Sequence, residues 1–90
     1  MSKIRQYTEQ QIEQLIKEQI SKEIMYDSDF VLESNESLFA RGIINSMAVI
    51  RLIRFMEEKF DISIEVEEET RQNFESVNSL KNFVLKKYQS

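Results

Sequence analysis

At ninety residues, with a net charge of −4 at pH 7, no cysteine, no histidine, no proline and one glycine, the chain lacks most of the parts that catalysis needs. Those absences exclude disulfides, thiolate or imidazole metal sites, a Ser-His-Asp triad and glycine-rich phosphate loops. The acidic balance, with no basic cluster, argues against nucleic acid, and no run approaches the roughly 20 apolar residues of a membrane span.

What remains, 41% hydrophobic and 31% charged, is the composition of a folded globular domain. The opening MSKIRQYTEQQ has no apolar stretch of the signal-peptide kind. The expectation is a cytoplasmic, monomeric chain folding as one domain over residues 1–90, with no membrane span and no enzymatic activity of its own.

The first periodic stretch follows Tyr7. Thr8 with Gln11 three residues on fits a capping box, and Ile12, Leu15, Ile16, Ile20 and Ile24 then share one face at helical spacing. A helix is predicted over about residues 8–24, with Glu13–Lys17 and Glu18–Lys22 as i,i+4 pairs on its wet side. Residues 25–44 lose the period and gather turn formers, among them Asp27, Ser28, Asp29, Ser34, Asn35 and Ser37. Phe30, Val31, Leu32, Leu38, Phe39, Ile43 and Ile44 are interspersed, so this loop is predicted to pack across the bundle, with a short helical turn near Ser37–Phe39.

Asn45 or Ser46 then caps a second helix running to about Phe60. At 100° per residue, Val49, Leu52, Ile53, Met56 and Phe60 face inward, Met47, Arg51, Arg54 and Glu58 face outward, and Ile50 lies on the border. FDISIEV alternates like a strand but is short and isolated. It is predicted to be a connector with Ile62, Ile64 and Val66 tucked inward. Glu67 to Phe74 is predicted as a short helix, and Ser76 as the cap of a last helix to about Tyr88 that buries Val77, Leu80, Phe83, Val84 and Tyr88. Lys86 and Lys87 close it with the charge its dipole favours. The predicted class is all-α, three main helices and one short one.

A serine opening a helix is most often a cap, and a lone glycine most often a turn. Here the two stand together: Ser37-Leu38-Phe39, then Gly42-Ile43-Ile44-Asn45-Ser46-Met47, then the amphipathic helix. With this order of helices, the chain resembles the acyl and peptidyl carrier proteins, whose signature sets a glycine shortly ahead of Asp-Ser-Leu. The resemblance covers nearly the whole chain in layout. At residue level Ser37 to Phe60 carries it, with Phe74-Glu75-Ser76-Val77 in support.

It implies a small acyl-carrier-like helical bundle in which Ser46 receives 4′-phosphopantetheine from coenzyme A through a phosphopantetheinyl transferase. Asn45 stands where most of the family has the aspartate that helps dock this transferase. The run from Gly42 to Met47 is most similar to freestanding peptidyl carriers that hold proline as a thioester. That implies an adenylating ligase to load the arm and a tailoring enzyme, a dehydrogenase or oxidase, to act on it. D-alanyl carriers of teichoic acid pathways, with similar spacing, and other acyl carriers are the alternatives within the family.

Met47 beside the serine resembles the apolar knob that partners of this family grip. Asn45, Met47, Ile50, Arg51 and Arg54 are therefore the candidate partner-binding residues. From Arg41 to Phe60, four basic residues stand against two acidic ones, a balance of +2; from Asp61 to Glu75, one arginine stands against six carboxylates, a balance of −5. Fatty-acid carriers usually show an acidic second helix, so the resemblance does not extend to bulk fatty-acid synthesis. A reading of another class is an unmodified helical adaptor that binds a partner through the same face.

Overall fold

The computed structural model describes residues 6–27 and 29–89. The five opening residues, part of the stretch read as no leader, and the turn former Ser28 lie outside them. Three helices carry the fold: α1 (Glu9–Gln19), α2 (Ser46–Phe60) and α3 (Val77–Tyr88). No strand occurs among the described residues. The predicted all-α class and the three main helices are what is observed.

α1 starts where the capping box places it: Thr8 Oγ1 accepts the Gln11 N–H at 3.2 Å and Gln11 Oε1 accepts the Thr8 N–H at 2.9 Å. Each end of the motif satisfies a backbone donor that the helix leaves open. Ile12, Ile16 and Ile20 are fully buried on one face, and Leu15 and Ile24 pack partly against the core. The predicted helical end widens into a π turn over Ile20–Ile24, closed by Met25 N–H on the Ile20 carbonyl at 2.8 Å. Glu13 and Lys17 pair at 3.7 Å; Glu18 accepts from Gln14 Nε2 at 3.3 Å in place of the expected Lys22 pair.

α1 packs on α3, whose Val77, Leu80, Phe83 and Val84 are buried, while Tyr88 is half-buried and its hydroxyl accepts the Tyr7 N–H at 3.3 Å. α2 contributes Ala48, Leu52, Met56 and Phe60 to the same core. The α1–α2 loop supplies Leu32, Leu38, Ile43 and Ile44. Its Val31 is the exception, 74% exposed, so the loop does not bury every apolar residue it carries.

Two expectations for residues 62–74 need correcting. Ile62 and Ile64 turn inward as predicted, but Val66 is 79% exposed. The alternation stops there because Val66 opens a 3₁₀ turn, Val66–Glu68, braced by Glu65 N–H on Glu68 Oε1 at 2.8 Å. The short helix expected over Glu67–Phe74 is limited to this turn and a second one, in which the Phe74 N–H reaches the Thr70 and Arg71 carbonyls. Three consecutive glutamates give that stretch no apolar face to bury. Phe74 anchors its end at 1% exposure.

Candidate functional site

The turn before α2 is built on Leu38. This buried residue donates its N–H to the Glu75 carbonyl at 2.7 Å, and its own carbonyl accepts the N–H groups of Ile43 and Ile44 at 2.9 and 3.3 Å. Between them the chain folds through Gly42 at φ 72°. A Cβ there would meet nothing within 4 Å, so backbone conformation, not space, calls for glycine. Ile43 and Ile44 enter the core at 3% and 6% exposure, and the next residue is Asn45. The Gly-Ile-Ile run thus fixes a tight turn and two anchors directly beneath the start of α2.

Two arginines clamp this loop from its flanks. Arg41 lies 5.2 Å over the Phe30 ring and pairs with Glu36 at 2.6 Å; Arg71 lies 4.5 Å over the Phe39 ring and bonds Glu75 at 3.3 Å. The Glu33 N–H, and then Arg41, hold the Glu36 carboxyl below its ordinary pKa.

Of the two residues the sequence offers as cap, the structure uses Asn45. Its backbone is extended and its Oδ1 accepts the Ala48 N–H at 2.9 Å, while its carbonyl takes the Val49 N–H at 2.9 Å. Ser46 is therefore the first helical residue and is exposed, and its hydroxyl makes no hydrogen bond among the described residues. The N–H groups of Ser46 and Met47 are the ones a helix start leaves unpaired. No acidic residue lies in the first turn. The result is an accessible alcohol at the positive end of a helix dipole.

All five candidate partner residues are exposed, and they differ in how free they are. Met47 and Ile50 are 64% and 55% exposed and present an apolar surface beside Ser46. The Asn45 side chain is spent on the cap. Arg51 Nη1 donates to Tyr26 Oη at 2.8 Å and to the Glu23 carbonyl at 3.3 Å, tying α2 to the end of α1. Arg54 has no carboxylate within ion-pair distance among the described residues. Tyr26 is the residue that pattern reading missed. The signal was a helix ending in Met-Tyr-Asp with no glycine to take the left-handed stop.

No family model matches the chain. Among curated proteins it is similar to the D-alanyl carrier protein of Listeria welshimeri, 36% identical over 56 residues, which is 62% of this chain and 72% of that protein. This chain belongs to the acyl and peptidyl carrier protein family. The D-alanyl carrier proteins of Lactobacillus acidophilus and Lactobacillus helveticus are each 31% identical over 48 residues, 53% of this chain. The carrier spans 61% of the length of those two relatives. No described helix of the carrier is long and apolar enough to cross a membrane. No described group of histidine, cysteine or carboxylate residues is arranged to hold a metal.

Proposed function

We propose that this carrier is modified with 4′-phosphopantetheine on Ser46 and holds an amino acid as a thioester on that arm. The observation that supports this best is the free, exposed Ser46 hydroxyl, released from capping because Asn45 caps in its place. The residues present suit the group. The unpaired N–H groups of Ser46 and Met47 and the dipole of α2 favour a phosphodiester, and no first-turn carboxylate opposes it. When attached, the arm supplies a terminal thiol, which a chain without cysteine does not. With no histidine nearby, the Ser46 proton passes to a base on the transferase.

The names of the relatives favour D-alanine as the cargo over proline, which the resemblance of the Gly42–Met47 run first suggested. An adenylating ligase charges the arm in either case; a tailoring oxidase or dehydrogenase belongs only to the prolyl version. Incubation with coenzyme A and a broad-specificity phosphopantetheinyl transferase is expected to add the mass of one phosphopantetheine, and Ser46→Ala to abolish the gain. An unchanged wild-type mass would overturn this reading and favour the adaptor. Offering the modified carrier to D-alanine-activating and proline-activating ligases decides the cargo by which thioester forms.

A further inference from the structure

The end of α1 closes on a residue ill suited to the task. After the π turn, Tyr26 takes the left-handed conformation at φ 56°, and the Asp27 N–H reaches back past it to the Ser21 carbonyl at 2.7 Å. Helices commonly stop in this way, with glycine at the left-handed residue and an apolar contact made by the one after it. Here the left-handed residue carries a ring and the next is an exposed aspartate. A Cβ makes that conformation costly, and such strain persists only where the surrounding structure enforces it.

The enforcement comes from α2. Arg51 Nη1 donates to Tyr26 Oη at 2.8 Å and to the Glu23 carbonyl at 3.3 Å, so one guanidinium holds the stop from both sides. The Glu23 carbonyl lies in the last turn, whose acceptors a helix leaves open. The Tyr26 ring is 71% exposed, so its hydroxyl fixes it, not its burial. Asp27 in turn starts the loop: its side chain accepts the Asp29 N–H at 3.0 Å and its carbonyl the Phe30 N–H at 2.9 Å. Phe30 lies under Arg41, the residue before Gly42. The left-handed stop therefore sets the course of the loop that runs to the Ser46 turn. Arg51 itself sits on the solvent side of α2, about 7.5 Å along the helix from Ser46.

We infer that Arg51 and Tyr26 form a strap that holds the α1–α2 loop in a strained, closed form, and that withdrawing the guanidinium lets Tyr26 leave the left-handed region and frees the start of the loop. Backbone strain at Tyr26 favours opening, and the two hydrogen bonds from Arg51 oppose it. The exposed ring adds little burial to either side. The strap can therefore open with the core intact, as a local event. It stands apart from the modification of Ser46.

Amide hydrogen exchange reads the opening, and the strong N–H to Hα cross-relaxation of a left-handed residue reads the backbone of Tyr26. Arg51→Ala is expected to speed exchange of the Asp27 amide about tenfold and to weaken the left-handed signal, with the Leu80 amide of α3 within about twofold. Tyr26→Phe keeps the Glu23 bond and is expected to give about threefold at Asp27. Arg54→Ala, the same charge loss from the same helix, is expected to give less than about twofold. Glycine takes the left-handed stop unstrained and needs no strap. In Tyr26→Gly, Asp27 is expected to exchange no faster than in the wild type, and adding Arg51→Ala to change that by less than about twofold. Arg51→Ala with both signals as in the wild type overturns the strap. So does Arg51→Ala that speeds Asp27 as much with glycine at position 26 as with tyrosine, since the arginine would then only cap the Glu23 carbonyl. Equal acceleration of Asp27 and Leu80 overturns it as well, because the loss would be global.

Discussion

Two serines open helices in this carrier, and they have opposite fates. Ser76 sits one residue before α3, in the cap position, 7% exposed, with its hydroxyl accepting the Ser79 N–H at 3.1 Å and paired with Ser79 Oγ at 3.2 Å. Ser46 sits one residue later in its own helix, behind Asn45, and its hydroxyl is idle and exposed. One place along the chain separates a structural serine from a presentable one. The cap position turns a side chain back onto the backbone; the first helical position turns it out.

The sharpest way to break this comparison is to delete each hydroxyl. Ser46→Ala is expected to eliminate phosphopantetheine transfer completely, read by intact mass, while leaving the thermal midpoint within about 2 °C. Ser76→Ala is expected to do the reverse. Transfer persists, and stability falls by about 1–2 kcal/mol, a drop in midpoint of about 4–16 °C, because a buried cap bond is lost. If Ser76→Ala impaired transfer at temperatures where the chain is folded, the division between the two serines would fail.

Removing the residue that frees Ser46 is a smaller perturbation. Asn45→Ala takes the acceptor away from the Ala48 N–H and is expected to cost about 1 kcal/mol, measured by denaturant unfolding. Transfer should slow without stopping, since the reacting oxygen is untouched while the turn that presents it frays. Complete loss of transfer in this variant would mean that Asn45 takes part in the modification itself.

The helix starts were legible in the sequence because caps act locally: Thr8 with Gln11, and Ser76, needed only neighbours three residues away. The choice between Asn45 and Ser46 was not, since both residue types cap well and only the backbone decides which stands outside the first turn. The fate of Val66 depended on a 3₁₀ turn, and alternation carries no information about where a turn will interrupt it. Tyr26 was missed because its role joins residues 25 positions apart. Met47 and Arg54 meet solvent on the outer side of α2 as helical periodicity alone sets it, and Ile50, expected on the border, is exposed as well. Arg51 was placed correctly too, yet its bonds to Tyr26 and the Glu23 carbonyl had no trace in the pattern.

Acid offers the gentlest discrimination between the two helix starts. On the α3 side, Glu13 of α1 accepts the Ser34 hydroxyl and lies 3.5 Å from Lys81 and 3.7 Å from Lys17, and the Ser34 carbonyl holds the Asn78 N–H at 2.9 Å in the first turn of α3. The Ser34 hydrogen bond first, and the two lysines after it, lower the Glu13 pKa from its ordinary 4.5. A carboxyl with a depressed folded pKa stabilises the fold above 4.5 and loses that contribution as pH falls through the lower, folded value. On the α2 side the cap is an amide, which does not titrate. Below pH 4.5, hydrogen-exchange protection of the Asn78 amide should therefore decline before that of the Ala48 amide, and Glu13→Gln should remove the difference. Asn45→Asp should import the same sensitivity to the start of α2, adding about 0.3–1 kcal/mol at neutral pH through the helix dipole and losing it in acid. Equal acid responses of the two amides in the wild type would mean that the α3 cap does not depend on Glu13.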